Sequence, residues 1–267
     1  MINNMKKISI AILVGFIFLT YGNNSFSKNN YETIIIPCKS EECNPALLGP
    51  TVARWYYGDN TKPTLMVYGG GPGQDLDVNF SPFTSVVGKM NLIIVRSQVP
   101  VIRIKGGKRP VAFDKHIIFR NEQVAEFIKK KINQPLWLLG HSNGAHRLVG
   151  TIAGKTRKAD AYAGLIFSGS PNINSGKFIL PLEKIKYKLN MPVLIINHDR
   201  DRSIWHGVKA QKTLFKKIKK MNKQKTELIL LKQGDPEITK HNGGHHSFFT
   251  NQEEYGAEII KFILSNS

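Results

Sequence analysis

Acidic residues are scarce in this sequence. Only 19 Asp and Glu stand against 38 Lys and Arg in 267 residues, a net charge of +19. A chain this positive projects a field that draws in anionic surfaces, lipids or polymers. The lysines sit in plain runs, Lys129-Lys130-Lys131 and Lys216-Lys217 through Lys225. No aromatics interleave with them and no nucleic-acid motif accompanies them, so nucleic acid is not an expected partner. The excess reads first as a solvated lysine-rich face. An anionic membrane surface is the partner it leaves open.

Cysteines and long apolar runs are also few. The leading apolar run, Ile8 to Leu19, is short for a bilayer span of about 20 residues. Lys6 and Lys7 precede it, and a polar stretch ending in Ser25-Phe26-Ser27 follows. That order describes a secretory signal peptide, residues 1–27, cut after Ser27. The expected mature domain is 28–267, secreted or periplasmic, with 36 basic and 19 acidic residues. No cysteine directly follows the apolar run, which removes the motive for lipidation. The only cysteines, Cys38 and Cys43, can pair in an oxidising compartment. So small a ring would tidy a loop without holding up the fold. Repeats and low-complexity tracts are absent, and 41% apolar residues suffice for one full core. Nothing in the sequence speaks to the oligomeric state.

Apolar runs of four to seven residues alternate with longer amphipathic stretches. This is the pattern of an α/β fold, a mostly parallel sheet with helices on both faces. Thr33–Ile36 and Val52–Tyr57 are expected as leading strands at an antiparallel edge, followed by strands at Thr64–Tyr68 and Asn91–Val95. A helix is expected over His116–Ile132, then a strand at Leu136–Leu139 and a helix from Asn143 to about Lys155. Strands Tyr162–Phe167, Val193–Ile196 and Thr226–Leu231 come next, with a basic helix at Trp205–Lys220 and a closing helix at Glu253–Leu264. The connection from Pro171 to Met191 is a short insert with no room for a separate cap domain.

The chemistry gathers at strand ends. Ser142 lies in Gly140-His141-Ser142-Asn143-Gly144, between an expected strand and an expected helix. The glycines permit a tight strand-to-helix turn that lifts a serine hydroxyl above the sheet edge, and Asn143 supplies the following N–H. His141 and His146 read as pocket lining or helix surface. Upstream, Tyr68-Gly69-Gly70-Gly71-Pro72-Gly73 follows the third strand. Glycines let backbone N–H groups approach a ligand, and because Pro72 has none, the donor is Gly70 or Gly71. A phosphate-cradling loop would continue into lysine and Ser/Thr, whereas here Gln74-Asp75 follows.

A serine nucleophile also needs a base and a carboxylate to orient it. Asp199 and Asp201 both lie beyond the strand ending near Ile196. Asp201, deeper in the loop, is the preferred acid, and helix capping is the alternative use of either. Gly243-Gly244-His245-His246 lies between the last strand and the last helix. His245 is the expected base and His246 its alternative. His241, His245 and His246 without cysteine or carboxylate partners at ligand spacing rank lower as a metal site, and no metal is expected.

Together these segments resemble the α/β-hydrolase superfamily over nearly all of the mature chain. The order Ser142, Asp201, His245 is that family's order of nucleophile, acid and base. Gly70-Gly71-Pro72-Gly73 is similar to the oxyanion loop of the proline-iminopeptidase-like branch. That branch usually has a histidine before the glycines, where Gly69 stands here, and an Asp-x-Arg-Gly turn where Arg96-Ser97-Gln98 stands. The short insert also leaves little room for its large helical cap. The resemblance implies a serine hydrolase acting on an ester, thioester or amide of a small-molecule or acyl substrate, without a cofactor. Asn143 and Gly70 or Gly71 would form its oxyanion hole. An aminopeptidase, a non-catalytic binding protein on the same fold, and a metal-dependent hydrolase using the histidines are the alternatives.

Overall fold

Strand length and burial decide the architecture. The computed structural model describes residues 31–37, 51–69, 76, 81–96, 101–104, 107–110, 115–153, 161–171, 180–202, 206–233 and 251–267. The strands are β1 (Glu32–Ile36), β2 (Thr51–Tyr56), β3 (Thr64–Tyr68), β4 (Asn91–Val95), β5 (Val101–Ile104), β6 (Gly107–Pro110), β7 (Leu136–His141), β8 (Gly164–Ser168), β9 (Val193–His198) and β10 (Thr226–Leu231). The helices are α1 (Lys115–Lys131), α2 (Gly144–Ile152), α3 (Val208–Met221) and α4 (Gln252–Ser265).

Eight strands form one sheet in the order β1-β2-β4-β3-β7-β8-β9-β10. β1 and β2 pair antiparallel, β2 pairs antiparallel with β4, and every later neighbour is parallel. Parallel pairing from β4 onward follows from the helical crossovers and the apolar runs that are buried on both faces. All five residues of β3, β4 and β8 are buried.

The side-chain alternation within these strands splits the core in two. Met66, Tyr68, Leu136 and Leu138 share a face with Val124 and Ile128 of α1, Leu148 and Val149 of α2 and Leu214 and Ile218 of α3. Leu65, Val67, Trp137 and Leu139 share the other with Phe83, Val86 and the α4 residues Tyr255, Ile259 and Phe262. Each such aliphatic side chain contributes roughly 1.5–3 kcal/mol by leaving water. No helix among the described residues is long and apolar enough to cross a membrane.

One element was not anticipated. β5 and β6 form a separate antiparallel hairpin between β4 and α1, with Val101 opposite Pro110. Within the insert before β9, the described part includes a single 3-10 turn, Leu182–Lys184.

Candidate active site

Every parallel strand ends toward the same edge of the sheet, and Ser142 and the turn with Asp199 and Asp201 follow the ends of β7 and β9 there. Ser142 follows β7 directly and has φ 51°, the only positive φ at a non-glycine among the described residues. That left-handed backbone costs an L-residue about 1–2 kcal/mol. The turn is fixed on both sides: Ser142 N–H donates to the Ser168 carbonyl at 2.9 Å, and the Ser142 carbonyl accepts from Ala145 N–H at 3.0 Å. Asn143 has helical backbone at the start of α2 and makes no side-chain cap. Among the described residues its N–H donates none of the backbone hydrogen bonds of the turn.

Two glycines make so sharp a turn possible. A Cβ on Gly144 would lie 2.0 Å from the Tyr68 carbonyl oxygen, and one on Gly140 would lie 2.6 Å from Ala145 Cα. The end of β3 and the start of α2 therefore touch through bare backbone. Tyr68-Gly69 and Ser142-Asn143 are brought side by side at the strand ends.

The carboxylates separate by burial. Asp201 is 6% exposed, whereas Asp199 lies on the surface of the turn. Neither caps α3, whose N-terminal flanking residue is Gly207 with no side-chain cap. The buried end of β9 shapes this turn. His198 Nε2 donates to the Gln233 carbonyl at 2.7 Å, and Nδ1 accepts from Arg200 N–H at 3.0 Å. The same Nδ1 lies 3.4 Å from Asp199 Oδ1. Asn197 Nδ2 and Gln211 Nε2 both donate to the His206 carbonyl, at 2.7 and 2.6 Å, and Gln211 also reaches the Ser170 carbonyl at 2.7 Å. These side chains clamp the far end of the Asp201 loop against β8. Their role was not seen in the sequence, although polar residues at the end of an apolar strand were the available signal.

A second hydrogen-bonded chain starts at the residue before Ser142. His141 Nδ1 is 3.1 Å from Ser168 Oγ, which is 2.7 Å from Tyr255 OH. Burial pushes the Tyr255 phenol up, well above its ordinary range, so it stays protonated. His141 is therefore tied to the core, and His146 is buried in α2, not on the helix surface. Among the described residues no group of three or more His, Cys, Asp or Glu converges as a metal site. His241, His245, His246, Gly70, Gly71, Cys38 and Cys43 lie outside the described residues.

Neither family models nor curated protein sequences match this chain. Solved structures do. Est1E from Butyrivibrio proteoclasticus superposes at TM-score 0.57 with 13% identity, over 88% of this chain and 98% of its own. MGS-M1, an α/β hydrolase enzyme from a Medee basin deep-sea metagenome library, gives 0.56 and 14%, over 88% and 98%. Carboxylesterase CesB (YbfK) from Bacillus subtilis gives 0.54 and 13%, over 89% and 93%. The chain has the α/β-hydrolase fold.

Proposed function

We propose that the chain is a serine hydrolase that cleaves a carboxylic ester through an acyl-enzyme on Ser142. The observation that carries this reading is the left-handed backbone of Ser142 at the strand-to-helix turn. Strain of this kind at a non-glycine persists where surrounding structure over-determines it, and it clusters at reactive sites. Ser142 is half-exposed at this turn, and Asn143, which would supply an N–H to the oxyanion, follows it.

In the proposed reaction His245 removes the proton from Ser142 Oγ as Oγ bonds to the ester carbonyl carbon. The resulting oxyanion accepts from the N–H groups of Asn143 and Gly70 or Gly71. Collapse breaks the bond to the alcohol, which leaves with the proton from His245. Water, deprotonated in turn by His245, then releases the acid and restores Ser142. Asp201 holds the imidazole tautomer and stabilises the imidazolium, and its burial suits a carboxylate kept for that purpose. The carboxylesterase name among the structures of this fold supports an ester as substrate.

Turnover of short-chain aryl esters and of aminoacyl-arylamides should be measured on wild type and Ser142→Ala. Ester cleavage that falls roughly 10⁴–10⁶-fold in the variant is expected. Cleavage of arylamides in preference to esters would replace this reading with an aminopeptidase, the function suggested by the Gly70-Gly71-Pro72-Gly73 loop. Equal turnover by both proteins would remove Ser142 from the chemistry.

A further inference from the structure

Three polar side chains, each on a different element, are joined at the end of β7. Tyr255 of α4 and Ser168 of β8 are fully buried, and His141 of β7 is half-buried. Tyr255 belongs to the apolar cluster on its side of the sheet, with its ring 5.5 Å from that of Phe83. Its hydroxyl lies 2.7 Å from Ser168 Oγ, which lies 3.1 Å from His141 Nδ1. Burying hydroxyls is costly unless they are bonded, and phenylalanine and alanine would fill the same space without that cost.

Ser168 acts twice. Its carbonyl accepts from Ser142 N–H at 2.9 Å, while its hydroxyl joins Tyr255 to His141, its register partner across β7 and β8. A serine hydroxyl donates to one neighbour while accepting from another, so the chain holds the His141 ring in either direction of its hydrogen bonds. The far end is fixed as well. Tyr255 N–H donates to the Asn251 carbonyl at 3.0 Å, and Ser85 Oγ donates to the Gln252 carbonyl at 3.3 Å. A Cβ on Gly256 would collide with Ser85 Oγ, so α4 closes tightly on the segment after the 3-10 turn Ser81–Phe83.

We propose that Ser168 and Tyr255 are positioning residues for Ser142, a role that rests on the reading of Ser142 as nucleophile. The Tyr255 hydroxyl fixes Ser168 Oγ, and Ser168 fixes both the His141 ring and the Ser142 N–H. The left-handed backbone of Ser142 is intrinsically unfavourable and persists under such constraint. Without the two hydroxyls the turn relaxes toward ordinary backbone and carries Ser142 Oγ away from its line of attack. Reactions that depend on orientation are sensitive to shifts of that kind.

Tyr255→Phe keeps the ring and removes only the hydroxyl, and Ser168→Ala keeps the carbonyl that holds Ser142. These, their double variant and Phe83→Leu are compared with wild type. The readouts are the rate of fluorophosphonate labelling at Ser142, kcat and KM on a short-chain aryl ester, and thermal melts. Tyr255→Phe should lower kcat and the labelling rate about three- to tenfold, with KM within about twofold of wild type. Ser168→Ala should lower both rates about tenfold. The double variant should fall no further, since the Tyr255 hydroxyl acts on Ser142 through Ser168 Oγ. Phe83→Leu disturbs the packing on Tyr255 but spares its hydroxyl, so it should lower Tm and leave both rates unchanged. Wild-type rates in Tyr255→Phe overturn the proposal, as does a double variant whose loss is the product of the single losses. Where Ser168→Ala fails to fold, Tyr255→Phe decides alone. A wild type that is not labelled at Ser142 removes the hydrolase reading and the proposal together, whereas unchanged variants of a labelled wild type remove the proposal alone.

Discussion

At the scale of single residues, burial separates two aspartates that the sequence left side by side. Asp201 is enclosed by its loop while Asp199 faces solvent, so the charge of Asp201 is the less screened of the two. Asp201→Asn should lower kcat/KM for ester cleavage by about 10²–10⁴-fold, since the wrong imidazole tautomer results. Asp199→Asn should stay within about threefold of wild type, as expected of a screened surface carboxylate. The reverse ranking would assign the acid to Asp199. Ser142 was legible because glycines at fixed offsets demand a tight turn. Asn197, His198 and Gln211 were not, because their partners His206, Gln233 and Ser170 lie 5 to 41 residues away along the chain. In the sequence they read simply as the end of a strand and one position of a helix.

At the scale of elements, the end of β3 meets the start of α2 through bare backbone at Gly144. Alanine in place of a helical glycine ordinarily gains about 1 kcal/mol. At Gly144 the added methyl would meet the Tyr68 and Gly69 carbonyl oxygens at 2.0 and 2.8 Å, and backbone cannot swing aside as a side chain can. Gly144→Ala should therefore destabilise by about 1–3 kcal/mol. A melt reads this as a drop of several degrees, with ester turnover falling further than stability does. A raised Tm would show that the turn is looser than described. Strands bounded by turn residues, such as Thr64–Tyr68, Asn91–Val95 and Thr226–Leu231, were readable to the residue. The hairpin of β5 and β6 was not, because Val101-Ile-Arg-Ile and Gly107-Lys-Arg-Pro form no sustained apolar run and pair outside the main sheet.

At the scale of the whole molecule, positive charge is the dominant feature. The outer face of α3 carries Lys209, Lys212, Lys216, Lys217, Lys219 and Lys220, all exposed, with no acidic residue on that helix. Vesicles containing anionic lipid should bind the protein at low salt and release it near 0.5 M, where the screening length falls to a few ångströms. Binding that persists at high salt would point to apolar insertion instead. The fold order, with Ser142 after β7 and Asp201 after β9, was visible from the alternation of strands and helices. The order of strands across the sheet, β1-β2-β4-β3-β7-β8-β9-β10, was not. The most direct measurement is fluorophosphonate labelling of the folded protein, with the adduct located by peptide mass spectrometry. The account predicts one adduct, on Ser142, and none on Ser142→Ala. Equal labelling of the two proteins, or an adduct on another serine, would contradict it.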